Sequence, residues 1–194
     1  MTIHPDTLTL RAIPSNELKF YERLSLPRYS LLLDQLKDKK NVCHYCDHQP
    51  KDKKTGLYVT NIDGDYDHNV MDNFALSCVF CTYVQLLNLP HTQQNAQNLI
   101  YLPHISQAKL NRTYHHWRDM LQVKGRKFKV QEALAELSDR KNQLNDVVGF
   151  DAEFKDLLGL FCDNDCPKDS FALHLRWVPD MHTLQYFSIE SAFH

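Results

Sequence analysis

The chain contains no apolar run near the roughly 18 residues that a membrane-spanning helix needs, so no span is expected. Residues 1–15 lack an apolar core flanked by basic residues, which speaks against a secretory signal. An excess of one charge is missing too. The 22 lysines and arginines stand against 24 acidic residues, leaving a formal net charge of −2 and a sequence pI of about 6.6. Such a chain has no global basic field to draw it to nucleic acid or anionic lipid. A cytosolic location is expected, where thiols stay reduced. A chain of 194 residues buries on the order of 70% of its unfolded surface, enough for a core without staples. One domain, or a compact core with an appendage, is the corresponding expectation.

What is present is cysteine in a pattern. Cys43-His44-Tyr45-Cys46 and Cys78-Val79-Phe80-Cys81 are two C-x-x-C knuckles separated by residues 47–77. Each knuckle puts two thiolates on one tight turn, and two such turns complete the four-thiolate shell of structural zinc. The expected ligands are Cys43, Cys46, Cys78 and Cys81, around one Zn2+. A closed shell leaves no position for a reactive water, so the metal is expected to hold the fold and do no chemistry. The competing reading is two reduced, buried pairs that bind nothing. Cys162-Asp163-Asn164-Asp165-Cys166 forms an isolated pair whose acidic neighbours disfavour a reactive thiolate, and it reads as spare reduced cysteines. The alternating Asp63, Asp65 and Asp67 hint at calcium, yet an EF-hand loop needs Gly where His68 stands and Glu where Phe74 stands. Calcium is excluded on that ground.

Patterning predicts a short strand over 7–13, ended by Pro14, and then a helical turn or second strand over 17–26 closed by Pro27. A helix is predicted over 29–40, with Leu32, Leu33 and Leu36 on one face and basic residues in its last turn. This run at 37–40 and a second Lys-Asp-Lys-Lys run at 51–54 are two basic clusters beside the expected zinc site, read as solvated surface in preference to a phosphate contact. A strand follows over 57–62, then a polar loop over 63–69. Asp72 is the expected cap for a helix from Asn73 to about Leu87, carrying Cys78 and Cys81 one turn apart.

Knuckle, strand, loop, and a helix bearing the second knuckle is an order that resembles the ββα-metal arrangement of HNH endonucleases. Those enzymes place a catalytic His at the strand end, an Asn before the helix and a second His on it, around a divalent ion. Asn73 stands at the place of the middle Asn, but Asn61 occupies the strand end and Thr82 the position after the second knuckle. Neither an amide nor a hydroxyl serves as a general base near neutral pH, so the resemblance implies a skeleton without catalysis. His68 in the loop is a weak substitute.

A finer likeness rests on Asn61-Ile62-Asp63-Gly64-Asp65-Tyr66, Asn73, the second knuckle, Leu99-Ile100-Tyr101-Leu102-Pro103, and Gln107-Ala108-x-Leu110-Asn111. These segments resemble the IcmJ/DotN family of the Dot/Icm (type IVB) secretion system, clearest over residues 43–111. The resemblance implies a zinc-bearing, HNH-like subunit of the coupling complex that receives effector proteins for export. It further implies docking on the C-terminal region of the coupling ATPase DotL, alongside DotM, IcmS and IcmW. A cytoplasmic protein recruited by its complex to the inner face of the inner membrane is the implied location.

In the remainder, Ser106 is a natural cap for a helix reaching about Val123, with Leu110, Tyr114, Trp117 and Leu121 at helical spacing. Adjacent histidines point about 100° apart on a helix, so Tyr114-His115-His116-Trp117 reads as a half-buried aromatic face and not a metal site. Lys124-Gly125-Arg126-Lys127 is a basic hinge. Val130, Leu134, Leu137 and Leu144 mark a second helix, and Phe154, Leu157, Leu158 and Phe161 a third after Asp151. A strand over 170–178 ends at Pro179, and Asp180 caps a last helix with Leu184, Phe187 and Ile189 as its apolar residues.

The expected fold class is α+β, an HNH-like ββα zinc-binding core with additional helices and more helix than strand. Residues 1–42 form an N-terminal strand and helix packed on the core, 43–103 the four-cysteine core, and 104–194 a mainly helical region. The expected function is a non-catalytic, zinc-stabilised adaptor that binds the coupling ATPase for effector export. The alternatives are an active HNH-type nuclease and a zinc-ribbon nucleic-acid binder, the latter opposed by the net charge.

Overall fold

The computed structural model describes residues 7–51, 56–89, 99–149, 154–162 and 171–189. Its centre is a hairpin. The branched and aromatic run of β1 (Leu57–Asn61) pairs antiparallel with β2 (Phe74–Cys78), Leu57 opposite Cys78 and Asn61 opposite Phe74. A 3-10 turn at Met71–Asn73 feeds β2, which runs directly into α3 (Val79–Val84). Cys78 is the residue that turns strand into helix, with extended dihedrals of φ −73° and ψ 167°.

This corrects the single helix expected from Asn73 to Leu87. Its first residues are strand, and Asp72 lies inside the 3-10 turn instead of capping a helix. The reason is burial on both faces. Ala75, Leu76, Ser77 and Cys78 are all buried, and a strand covered on both sides reads as a continuous apolar run with no period of two.

The hairpin's open edges are satisfied from outside. On β1, Val59 N–H donates to Tyr29 Oη at 3.2 Å, and Val59 O accepts from Arg23 Nη1 at 3.3 Å. On β2, Leu76 O accepts from His44 N–H at 2.7 Å, which ties the first knuckle to the sheet. Tyr29 and Arg23 come from α2 (Pro27–Lys39) and α1 (Asn16–Leu24). Of the two readings for 17–26 the chain takes the helix, and Pro27 begins α2 where its missing N–H costs nothing. Asn16, Phe20 and Arg23 form the buried face of α1. Leu32, Leu33 and Leu36 of α2 pack on the core only partly.

Residues 7–13 keep the expected alternation, with Leu8, Leu10 and Ala12 buried, but they join no sheet. Arg11 exchanges hydrogen bonds with Val84 and Leu87, and Ala12 N–H donates to Phe161 O at 2.7 Å. The segment is threaded among elements that offer single partners and no ladder.

After β3 (Leu99–Tyr101) comes α4 (Gln107–Leu121), where Ser106 Oγ accepts from Lys109 N–H at 3.2 Å as the expected cap. The second helix expected from Val130 to Leu144 is two, α5 (Lys127–Ser138) and α6 (Lys141–Val148), each burying its own leucine at Leu134 and Leu144. The third resolves into α7 (Phe154–Leu157) and a 3-10 turn at Leu158–Phe161, with Asp151 outside the described residues. Within 170–178 only Leu175–Trp177 is strand, β4, preceded by a 3-10 turn at Phe171–His174. A strand requires a partner, and β3 offers three residues, pairing Leu99 with Trp177 and Tyr101 with Leu175. In α8 (Met181–Tyr186), Asp180 Oδ1 accepts from Thr183 N–H at 2.6 Å as the expected cap.

The fold is α+β with more helix than strand. One buried cluster runs from Leu8 through the knuckle cysteines to Trp177 and Ile189. At its middle, Trp177 packs on Tyr83 with centroids 4.5 Å apart and on Tyr114 at 6.0 Å. No helix among the described residues is long and apolar enough to cross a membrane.

Candidate metal centre

The first knuckle is a turn held by its own backbone. Cys43 O accepts from Asp47 N–H at 3.0 Å, and Cys43 N–H donates to His48 O at 2.9 Å. Asp47 sits at φ 56°, a left-handed conformation that Asp tolerates better than most residues. The second knuckle uses the strand-to-helix junction, where Cys78 ends β2 and Cys81 lies in α3.

These two turns bring the sulfurs of Cys43, Cys46, Cys78 and Cys81 within 4.8 Å of one another. Cys46 Sγ and Cys78 Sγ are 3.6 Å apart. A tetrahedral thiolate shell with metal–sulfur bonds of about 2.3 Å has edges of about 3.8 Å. The observed separation fits a shared ion and is far beyond the ~2.05 Å of a disulfide bond. All four side chains are buried, none more than 1% exposed.

Burial sharpens the chemistry. It pushes the Cys78 and Cys81 thiols well up, and hydrogen bonding to Cys43 and Cys46 raises both further. Burial opposes ionisation of Cys43 as well, but hydrogen bonds from Cys46, Cys78 and Cys81 pull that thiol well down. A divalent ion supplies the charge that lets all four ionise together. The donor set and its closure fit one metal ion held for structure.

A polar relay supports the shell from α4. Asn111 Nδ2 donates to Cys81 Sγ at 3.2 Å. Gln107 Nε2 donates to Asn111 Oδ1 at 2.9 Å and to Trp177 O at 3.1 Å, while Gln107 Oε1 accepts from Trp177 N–H at 2.8 Å. The relay links the metal site to β4. Arg112 Nε donates to Cys46 O at 2.7 Å, and its guanidinium also pairs with Asp47. Sequence reasoning missed Asn111 and Gln107 as supports of the metal. The signal was there, since both fall on the apolar stripe of Leu110 and Tyr114, and a buried amide requires partners.

The HNH positions are spent elsewhere. Asn61 Nδ2 donates to Asp65 O at 2.7 Å and His68 O at 3.0 Å, and Asn73 Nδ2 donates to Asp63 Oδ1 and His68 O, each at 2.8 Å. Both amides clamp the 62–70 loop. Thr82 is fully buried, and its hydroxyl donates to Ser77 O at 3.4 Å. His68 is half exposed, with Nδ1 2.6 Å from Asp63 Oδ2. His115 stacks on His48 and does not join the thiolates. Cys162 is exposed and free, 3.3 Å from Leu158 O, and Cys166 lies outside the described residues.

Fold and site together define a helix-rich α+β protein built on a hairpin with a closed, buried four-cysteine cluster that fits a metal ion. No model of a known protein family matches the chain. The chain is a distant homologue of the type 4 apparatus protein DotN of Legionella pneumophila, 33% identical over 78 residues. The matched stretch covers 38% of this chain and 33% of that relative, so it spans about a third of the relative's length.

Proposed function

We propose that this protein is a non-catalytic, zinc-stabilised adaptor of a type IVB secretion coupling complex. In this reading it binds the C-terminal region of the coupling ATPase DotL, in the same complex as DotM, IcmS and IcmW. The homology to a type 4 apparatus protein carries the reading. Zinc is the metal of choice because four buried thiolates with no open position suit a soft, redox-inert, tetrahedral ion. The ion clamps the first knuckle to the junction of β2 and α3, and the Asn111–Gln107 relay extends that rigidity to β4. The absence of catalysis is inferred from Asn61 and Thr82, whose side chains are committed to backbone contacts. Recruitment to the inner face of the inner membrane follows from the complex.

The test is a binding measurement between the purified full chain and the C-terminal region of the coupling ATPase from the same host. A complex of micromolar strength, about −8 kcal/mol, or tighter is expected. No complex at that strength, with the metal bound and the chain folded, overturns the adaptor reading.

A further inference from the structure

The net charge conceals a local concentration. Residues 120–131, from the end of α4 through the connection into the first turn of α5, carry Lys124, Arg126, Lys127 and Lys129 and no acidic residue. The acid nearest on α4, Asp119, is neutralised by Lys51 at 2.6 Å. On α5 the first acid is Glu132. Every residue from Gln122 to Lys129 is exposed. Two of them are large and apolar, Val123 at 46% and Phe128 at 71% exposure, the latter the highest among the exposed large hydrophobic residues described.

This junction breaks two local rules at once. A helix N-terminus prefers acidic residues and a side-chain cap. The start of α5 has neither, with Arg126 as its uncapped N-cap residue and Lys127 and Lys129 in its first turn. Apolar exposure on this scale also costs solubility, while Val130 and Leu134 on the opposite face supply the burial that α5 needs. Local preferences violated together, with no packing gain, mark residues retained for a contact outside the chain. The turn itself is firm, since Arg126 N–H donates to Val123 O at 3.2 Å and Gly125 takes φ +84°.

We propose that the 123–129 tip is a contact site for an anionic membrane surface, with the four cations on lipid phosphates and Phe128 inserted at the headgroup level. A cationic loop bearing an exposed aromatic and an aliphatic residue complements an anionic interface on both counts. The aliphatic Val123 favours lipid over a base-stacking track on single-stranded nucleic acid. This contact is separate from ATPase binding, and its failure leaves the adaptor reading intact.

The experiment is flotation of the full chain with vesicles of phosphatidylglycerol and phosphatidylethanolamine, against vesicles of phosphatidylcholine alone. Binding to the anionic vesicles only, weakened by salt, is expected. Each basic residue near such a surface contributes about fivefold in partitioning, so K124Q with R126Q lowers binding about 25-fold. F128A weakens binding further, and F128W shows a blue-shifted emission on the anionic vesicles that the wild type does not. Four results overturn the proposal. These are no flotation with anionic vesicles at low salt, full flotation of K124Q/R126Q, an unshifted F128W whose parent is also insensitive to F128A, or single-stranded RNA binding through these residues without vesicle binding. All four substitutions lie on exposed positions, and circular dichroism together with metal content verifies that the variants remain folded.

Discussion

The imidazoles of His48 and His115 stack face to face, with ring centroids 3.4 Å apart and planes 3° from parallel. His48 comes from the loop after the first knuckle and His115 from α4, so the stack bridges the two elements beside the metal centre. Phe80 lies against the same ring at 4.8 Å, and Arg118 sits over Phe80 at 4.5 Å. Two stacked rings in this setting must stay neutral. Burial first, then His48 and Arg118, push His115 down to about 3, against a smaller upward pull from Cys43. Burial lowers His48 too, with Cys43 and Asp119 opposing and Arg118 and Lys51 adding to the fall.

A folded pKa below the unfolded value of about 6.5 means that the unfolded chain binds protons first as the pH falls. The stabilisation by neutral His115 is therefore complete above about pH 6.5 and is lost progressively on acidification towards 3. Denaturant titrations of the metal-bound protein should show stability falling between about pH 6.5 and 5.5, by up to about 1.4 kcal/mol per pH unit for this group. His115→Gln should flatten that slope, whatever it does to stability at neutral pH. A wild-type profile level across this window contradicts the buried neutral pair.

Cys78 anchors β2, α3 and the metal shell together, so its loss is expected to be severe. Structural zinc in small modules contributes about 10–16 kcal/mol of apparent folding free energy. Cys78→Ser should lose its metal and its cooperative melting transition, read by elemental analysis and calorimetry. Cys162→Ser with Cys166→Ser should retain the wild-type metal content, because exposed Cys162 lies apart from the four-sulfur cluster. One equivalent of metal missing from the double variant would reveal a second site.

Asn111 donates to Cys81 without being a ligand, which separates positioning from binding. Groups that orient metal ligands from outside the shell typically change affinity by about 10–100-fold. Asn111→Leu is expected to keep one bound ion but release it faster to a chelator, within that range. Gln107→Leu should do the same more weakly, acting through Asn111. Equal release rates for the variants and wild type would mean that the sulfur contact is incidental.

How much of this was legible in the chain depends on whether the signal was local. The knuckle spacing names four sulfurs, and caps such as Ser106 and Asp180 mark helix starts, because those patterns lie within a few residues. β2 was not legible. Ala75 and Leu76 are buried on opposite faces of the hairpin, so the run lost its period of two and read as helix. The segment around Leu8 and Leu10 shows the reverse failure, alternation without a sheet, since pairing depends on a partner that sequence does not reveal. The Asn111 relay required knowing that α4 packs on Cys81 and on β4, contacts that span 30 residues from Cys81 to Asn111 and 70 from Gln107 to Trp177. The HNH positions illustrate a third case. Their identities were plain, but only geometry shows Asn61 and Asn73 clamping the loop.

Gly64 is required twice over. Its φ of +78° is left-handed, and a Cβ there would meet the Arg11 guanidinium at 2.5 Å. Arg11 is itself tied to Ile62 O at 3.2 Å, and Asn16 Nδ2 donates to Gly64 O at 2.8 Å. Left-handed backbone alone costs a non-glycine residue about 1–2 kcal/mol. Gly64→Ala should lower stability by at least that amount, with the displaced arginine adding to it. Thermal melting checks the prediction, and Gly125→Ala, also at positive φ but with open space around it, is the control for the backbone term alone. A Gly64 variant no worse than the Gly125 variant removes the role of Arg11.

In the HNH endonucleases that the order of elements resembles, the residue at the strand end has to accept a proton from water, and Asn61 at the end of β1 is instead a buried donor to Asp65 O and His68 O. Thr82 has no exposed surface with which to reach a scissile phosphate. Losing a general base typically costs about 10²–10⁴ in rate, before any loss of a metal ligand is counted. Supercoiled plasmid incubated with magnesium, manganese or nickel should be nicked no faster by the wild type than by Cys78→Ser. Among the described residues the group best placed to oppose this is His68, oriented by Asp63 at 2.6 Å with its ring half in solvent. His68→Ala is therefore the decisive control. Metal-dependent nicking by the wild type that vanishes in His68→Ala would establish an Asp63–His68 base in place of the missing histidines. Nicking that persists in both variants would point to a contaminating nuclease. Restoring the histidines by Asn61→His with Thr82→His should not create activity, because the first change releases the loop that Asn61 holds and the second forces a larger ring into a fully buried site.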